Sequence, residues 1–248
     1  MTTTSKIEWT EQTWNPVVGC TKISAGCKNC YAETMAKRLQ AMGTHGYENG
    51  FALTLLPQRL ADPTKRNKPT VYFLNSMSDL FHEKVPDGYI DQVMGVVAQT
   101  PQHTYQILTK RAQRMARYFA NGRTVPPNAW MGVSVENKKH GVPRIKHLRQ
   151  VPARIRFLSV EPLLEDVGQL DLNDIHWVIV GGESGPKARP MKPEWAEAVQ
   201  RQCDEQRVAF FFKQWGGWGA DGQRRAKAHN GRLLKGRTWD EMPAEALA

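Results

Sequence analysis

Residues 70–79 read TVYFLNSMSD, and residues 86–101 read PDGYIDQVMGVVAQTP. The first is a near-continuous run of β-branched, aromatic and aliphatic residues that ends in a polar cluster. Such runs suit strands buried on both faces, as in parallel sheets. The second spaces Tyr89, Ile90, Val93, Val96 and Val97 along one helical face. Pro86 stands near its start, where a missing N–H costs little, and Pro193 does the same for a later segment. The pair therefore reads as a strand, a polar strand end and a helix.

The same unit recurs along the chain. Strand-like runs are TWNPVVG, TYQILTKR, AWMGVSVEN, RIRFLSVEP, HWVIVGGESG and VAFFFKQWG, and helical spacing marks CKNCYAETMAKRLQAM, RAQRMARYFA and KPEWAEAVQRQCDEQ. Six or seven alternations predict an α/β fold with a parallel sheet. No GxGxxG follows the first strand. Nearly every strand has a polar C-terminal end, and a barrel gathers all such ends, whereas an open sheet uses mainly its switch point. The expectation is a partial or complete parallel (β/α) barrel of six to seven strands, as one domain over residues 1–248. An irregular insertion is expected near 43–68, and a basic, Gly/Trp-rich C-terminal extension from about 216.

The chain has 248 residues, enough for an ample core without staples. Its 34 Lys and Arg against 24 Asp and Glu leave a net charge of +10. That excess points to a polyanionic partner: a nucleotide, DNA or RNA. The opening MTTTSKIEWTEQTWN is polar, and no apolar run approaches bilayer length, so a cytoplasmic protein without a membrane partner is expected. Thiols stay reduced there.

Three of the four cysteines crowd into NPVVGCTKISAGCKNCYAE: Cys20, Cys27 and Cys30, with gaps of six and two residues. The stretch follows the first strand run and precedes the first helix, so it forms a strand-to-helix loop. Three thiolates can hold three irons of a four-iron cluster and leave the fourth open. They can also hold zinc with a histidine or water. Structural zinc sites usually come as two separated pairs, and nothing later in the chain answers Cys27-x-x-Cys30. Cys203 falls on a helical segment and reads as a buried thiol. His82 is the histidine nearest a strand end, and a local hydrogen-bonding role suits it. No Ser/His/Asp or paired-histidine motif supports a conventional hydrolase.

The stretch IEWTEQTWNPVVGCTKISAGCKNCYAE, with FLSVEPLL, VIVGGESG, FFFKQWGG and GRTWDEMP, resembles a family of phage and prophage proteins, Gp37/Gp68-like, with a three-cysteine motif. That family is similar in turn to the radical S-adenosylmethionine (SAM) superfamily. The resemblance covers almost the whole chain. It implies a parallel barrel, a [4Fe-4S] cluster on Cys20, Cys27 and Cys30, SAM on the open iron, and an external electron donor. The first gap is longer here than is usual in that superfamily. The aromatic usually found before the last cysteine is Asn29, and Tyr31 follows instead.

SAM offers an ammonium, a carboxylate, a sulfonium and ribose hydroxyls. The polar strand ends expected to meet it are Ser76, Ser78, Asp79, Lys110, Ser134, Glu136, Glu161, Gly181, Gly182 and Glu183, together with Tyr31. SVEN and SVEP each put Ser and Glu two apart on one strand face. VGGESG exposes backbone N–H groups but lacks the GK[ST] of a phosphate loop. Trp215 and Trp218 with Arg224 and Arg225, and also Arg111 and Lys213, are the candidates for substrate or nucleic acid, since aromatic planes stack bases and cations track phosphates. The implied function is SAM cleavage on a nucleotide or nucleic-acid substrate, with base modification or photolesion repair as chemistries that fit. The alternative is a non-catalytic nucleic-acid-binding or phage–host protein in which zinc or an inert cluster only ties the loop.

Overall fold

The structure, a computed structural model, describes residues 3–5 and 7–243. Each of the seven expected strand runs forms at least one strand. They are β2 (Gln12–Trp14) with β3 (Val17–Val18), then β5 (Val71–Leu74), β6 (Thr104–Thr109), β7 (Ala129–Ser134), β8 (Ile155–Val160), β9 (Trp177–Gly181) and β10 (Ala209–Gln214). Two short strands were not anticipated: β1 (Thr3–Thr4) and β4 (Thr54–Leu55). The helices are α1 (Tyr31–Ala41), α2 (Asp87–Gln99), α3 (Ala112–Ala120), α4 (Arg144–Arg149), α5 (Pro193–Gln206) and α6 (Lys227–Asn230). The main sheet runs β1-β2-β5-β6-β7-β8-β9-β10, with β1 antiparallel to β2. The first expected strand breaks at Pro16, which has no N–H to give a ladder. Its second half, β3, pairs antiparallel with β4 outside the main sheet.

The chain groups into two compact units. The first comprises Met1–Ile23, Cys30–Gly132 and Gln150–Arg154. Its β2, β5 and β6 run parallel, with Tyr72 opposite Tyr105. Those two rings stack at 5.4 Å, and Trp14 meets Tyr105 edge-on at 5.6 Å. All three are fully buried. The Tyr105 hydroxyl reaches Thr100 at the end of α2, which seats the helix on the strands. On α2, Tyr89, Ile90, Val93 and Val97 are buried as the spacing predicts, with Met94 buried in place of Val96. The segment 43–68 is mostly turns, and its Tyr47, Leu56 and Phe51 pack with Val18, Ala32, Ala36 and Met77. It thereby fastens α1 to β3.

The second unit comprises Ser24–Asn29, Val133–Arg149 and Ile155–Ala248. Its β8, β9 and β10 are parallel, with Leu158, Val178 and Phe210 in register. Ala196, Val199 and Cys203 of α5 are fully buried. α5 begins on Pro193 and ends on Arg207, whose φ of 56° closes the helix through bonds to Asp204 and Cys203. The stretch after 216 is anchored more firmly than its composition suggests. Trp239 packs edge-on against Phe210 at 5.6 Å, and its carbonyl accepts the Phe212 N–H. Asp240 bridges antiparallel to Phe211, so this segment covers the outer edge of β10. No helix among the described residues is long and apolar enough to cross a membrane.

Candidate metal centre

The loop that carries the cysteines starts at Gly19. Its φ of +79° is left-handed, and a Cβ there would lie 2.2 Å from the Ala52 carbonyl oxygen. Only glycine tolerates both conditions. Gly19 N–H donates to Met77 O at 3.0 Å and Cys20 N–H to Phe51 O at 3.2 Å, which fixes where the first thiol leaves the scaffold.

Beneath Cys20 lies Arg111, just before α3, with a side chain only 3% exposed. Its guanidinium donates to Asp79 at 3.1 Å, to Glu83 at 2.8 and 2.9 Å, and to Thr21 Oγ1 and O at 3.0 and 3.2 Å. Its Nη1 also lies 3.5 Å from Cys20 Sγ. Burial works against the cation, but Asp79, Cys20 and Glu83 overcome that and push its pKa up. Asp79 is itself fixed by the Thr109 hydroxyl at 2.7 Å and by the N–H groups of Phe81 and Lys110. His82, buried, lies 2.9 Å from the Thr21 hydroxyl. Burial, then the charge of Arg111, holds its pKa below the ordinary value.

Further along, Ala25–Cys27 make one turn of 3-10 helix. A Cβ on Gly26 would lie 3.1 Å from Glu136 Cγ, so the turn rests on that side chain. Glu136 is fully buried and paired with Arg144 at 2.5 Å, and Arg144 also donates to Ser134 O at 2.7 Å. Asn29 donates to Glu183 Oε2 at 2.9 Å and to Lys187 O at 2.8 Å. Glu183 accepts three more bonds from Arg189. Burial would raise the Glu183 pKa, but Arg189 and Asn29 outweigh it and hold it below the ordinary 4.5. Cys30 then caps α1 at its N-terminus, the positive end of the helix dipole.

The remaining expected site residues fall into three groups. Glu161 joins Lys213 at 2.8 Å and Gln214 at 3.0 Å, and a Cβ on Gly181 would press on its carboxyl at 3.2 Å. This cluster remains partly open, with Lys213 and Glu161 side chains 13% and 18% exposed. A second group holds the backbone together. Ser76 donates to Asn15 at 3.2 Å, Ser78 to Val17 O at 2.8 Å, and the exposed Tyr31 to Ser76 O. Gly182 is glycine because a Cβ would lie 1.9 Å from Trp215 O. Lys110 is half-buried, and its backbone N–H donates to Asp79 at 3.1 Å.

The third group holds the residues expected to meet nucleic acid. Trp215 is buried, with its indole N–H on Leu233 O at 2.8 Å, and the Trp218 N–H goes to Ala188 O at 2.7 Å. Arg224 donates to Pro186 O, and Arg225 pairs with Asp221. Arg111 is enclosed under the cysteine loop. Both indoles are seated on backbone acceptors, since tryptophan buries well only when its N–H finds one, whereas Arg224 and Arg225 are exposed. Asn29, Thr21, Arg144 and Arg189 were not singled out from sequence. Six residues of regular strand would hold Glu183 and Arg189 about 20 Å apart, so only the folded turn pairs them at 2.6 Å.

None of the four cysteines forms a disulfide. Cys20, Cys27 and Cys30 are partly exposed, whereas Cys203 is buried, and burial first of all pushes its pKa up. Among the described residues, no three His, Cys, Asp or Glu side chains converge as ligands for a metal ion. A four-iron cluster takes one thiolate on each of several irons. Three partly exposed thiols on one short loop, none in a disulfide and one beside a buried cation, suit that donor set by residue type.

The chain belongs to a family described as a protein of unknown function, DUF5131, whose model matches residues 4–243. No curated protein matches it. Among solved structures it is similar to a variant of spore photoproduct lyase with a dinucleoside spore photoproduct, at TM-score 0.51 and 12% identity over 83% of this chain. A second structure of such a variant matches with the same TM-score, identity and coverage. The chain spans 64% of the length of these relatives. The likeness is one of fold: an α/β fold whose seven parallel strands curl into a half-barrel.

Proposed function

We propose that this chain is a radical SAM-like iron–sulfur enzyme acting on a nucleotide or nucleic-acid substrate, and that both compact units serve one barrel domain. The observation that carries the reading is the cysteine loop: three thiols, none in a disulfide, within eleven residues after the first strand run of a half-barrel fold. Cys20, Cys27 and Cys30 would hold a [4Fe-4S] cluster. Reduced by an external donor, such a cluster with one open iron supplies the electron that splits SAM to methionine and a 5′-deoxyadenosyl radical.

The chain's own residues prepare the loop. Arg111 fixes the arm that carries Cys20. Glu136 supports the turn that carries Cys27. Asn29, through Glu183, holds the turn before Cys30. Of the expected SAM contacts, Glu161 is the one best supported, because its partly exposed carboxylate can still accept from an ammonium or a ribose hydroxyl while Lys213 balances its charge. Lys213 suits the SAM carboxylate or a substrate phosphate.

The net charge of +10 supports a polyanionic substrate. The photoproduct bound by the structural relative makes a nucleic-acid lesion the first substrate to try. The kinship with phage and prophage proteins and a cytoplasmic setting belong to the same proposal. The test is an anaerobic incubation of cluster-loaded protein with SAM and dithionite. Formation of 5′-deoxyadenosine, abolished in Cys27→Ala, supports the reading. An intact cluster with no SAM cleavage refutes it.

A further inference from the structure

We propose that Arg111 is a positioning residue that sets the reduction potential of the metal centre through Cys20. The inference rests on the reading that Cys20 is a cluster ligand.

Three observations carry it. The Arg111 guanidinium is buried and its Nη1 lies 3.5 Å from Cys20 Sγ. It cannot swing away, because Thr21 on the cysteine loop and Asp79 behind it take its other donors. Two carboxylates flank it, and they differ in kind: Asp79 is 7% exposed and Glu83 is 62% exposed. A loop held only for stability could use neutral donors to Thr21. A permanent, buried charge beside one ligand sulfur does something more. Each electron added to the cluster makes it more negative, and a fixed cation with an N–H aimed at a ligand sulfur stabilises that state. Arginine suits the task because it stays charged under all working conditions and its planar fork holds several acceptors at once.

The sign follows for each substitution. Arg111→Gln removes the cation and leaves a donor, so the cluster becomes harder to reduce. Glu83→Gln removes one of the anions that offset the cation, so the cluster becomes easier to reduce. The second shift is the smaller, since an exposed charge is screened by water and salt. The electron comes from dithionite and enters the cluster without any bond forming or breaking.

The experiment is an EPR-monitored redox titration of the anaerobically reconstituted 248-residue chain, without SAM or substrate. The expected result is a midpoint potential lowered in Arg111→Gln and raised in Glu83→Gln relative to wild type. If Arg111→Gln takes up no cluster, Glu83→Gln decides alone, because its side chain is exposed and its loss leaves Arg111 held by Asp79 and Thr21. Wild-type potentials in the variants that load would overturn this proposal and leave the cluster reading standing. A wild-type protein that binds no iron would overturn both.

Discussion

Glu136, expected from sequence to meet a cofactor, sits in a buried ion pair whose worth a substitution can weigh. Its carboxylate is 0% exposed and pairs with Arg144, whose own side chain is 9% exposed. Glu136→Ala leaves that guanidinium buried with Ser134 O as its remaining named acceptor. Breaking a buried pair on one side costs about 3–5 kcal/mol. The retained bond to Ser134 O puts this case near the lower end, about 3 kcal/mol, or a shift of roughly 100- to 200-fold in the folding equilibrium. Urea unfolding followed by circular dichroism measures it, with the midpoint falling at an unchanged slope. Removing both charges, as in Glu136→Met with Arg144→Met, should recover most of the loss, since no unpaired charge then remains. Gly26 rests on this side chain, so Glu136→Ala should also slow iron uptake by the loop. A loss below about 1 kcal/mol, or a double variant no better than the single one, would refute the buried-anchor reasoning.

Other expectations follow from the same geometry. Gly182→Ala should destabilise by at least about 2 kcal/mol in the same assay, because the clash is with a backbone oxygen that no rotamer change relieves. In the metal-free native protein, iodoacetamide should label Cys20, Cys27 and Cys30 and spare Cys203 until urea is added, as intact-mass counting would show. Glu183 has a folded pKa below the ordinary 4.5, so its contribution is present above that value and lost as pH falls through the folded one. Glu183→Gln should therefore flatten the acid limb of a stability–pH profile below about pH 5. Any DNA or RNA affinity should fall steeply with salt, and should persist when Trp215 is left intact and Arg225→Gln removes only a cation already paired with Asp221.

Much of the fold was legible because strands buried on both faces leave long apolar runs. TVYFLNSMSD, RIRFLSVEP and HWVIVGGESG each became a strand of the parallel sheet. The helix faces were legible too, with Met94 taking the place of Val96 in the core. The short α4 was missed, since six residues carry too little periodicity. β4 was missed because two residues pair only once Pro16 has turned β3 out of the main sheet. At the site, the thiols were legible from their crowding. Their supports were not. For Arg111, sequence shows the charge but not the burial. Trp215 and Trp218 were legible as aromatic planes, but the backbone acceptors of their N–H groups were not. Asn29 and Glu183 are 154 residues apart, and only the folded chain makes them a clamp.

The measurement that tests the central claim most directly is iron and acid-labile sulfide per chain after anaerobic reconstitution, in wild type and Cys27→Ala. The account predicts about four irons and four sulfides per wild-type chain, with most of both lost in the variant. One zinc per chain, with no iron and no sulfide under the same anaerobic conditions, would contradict it.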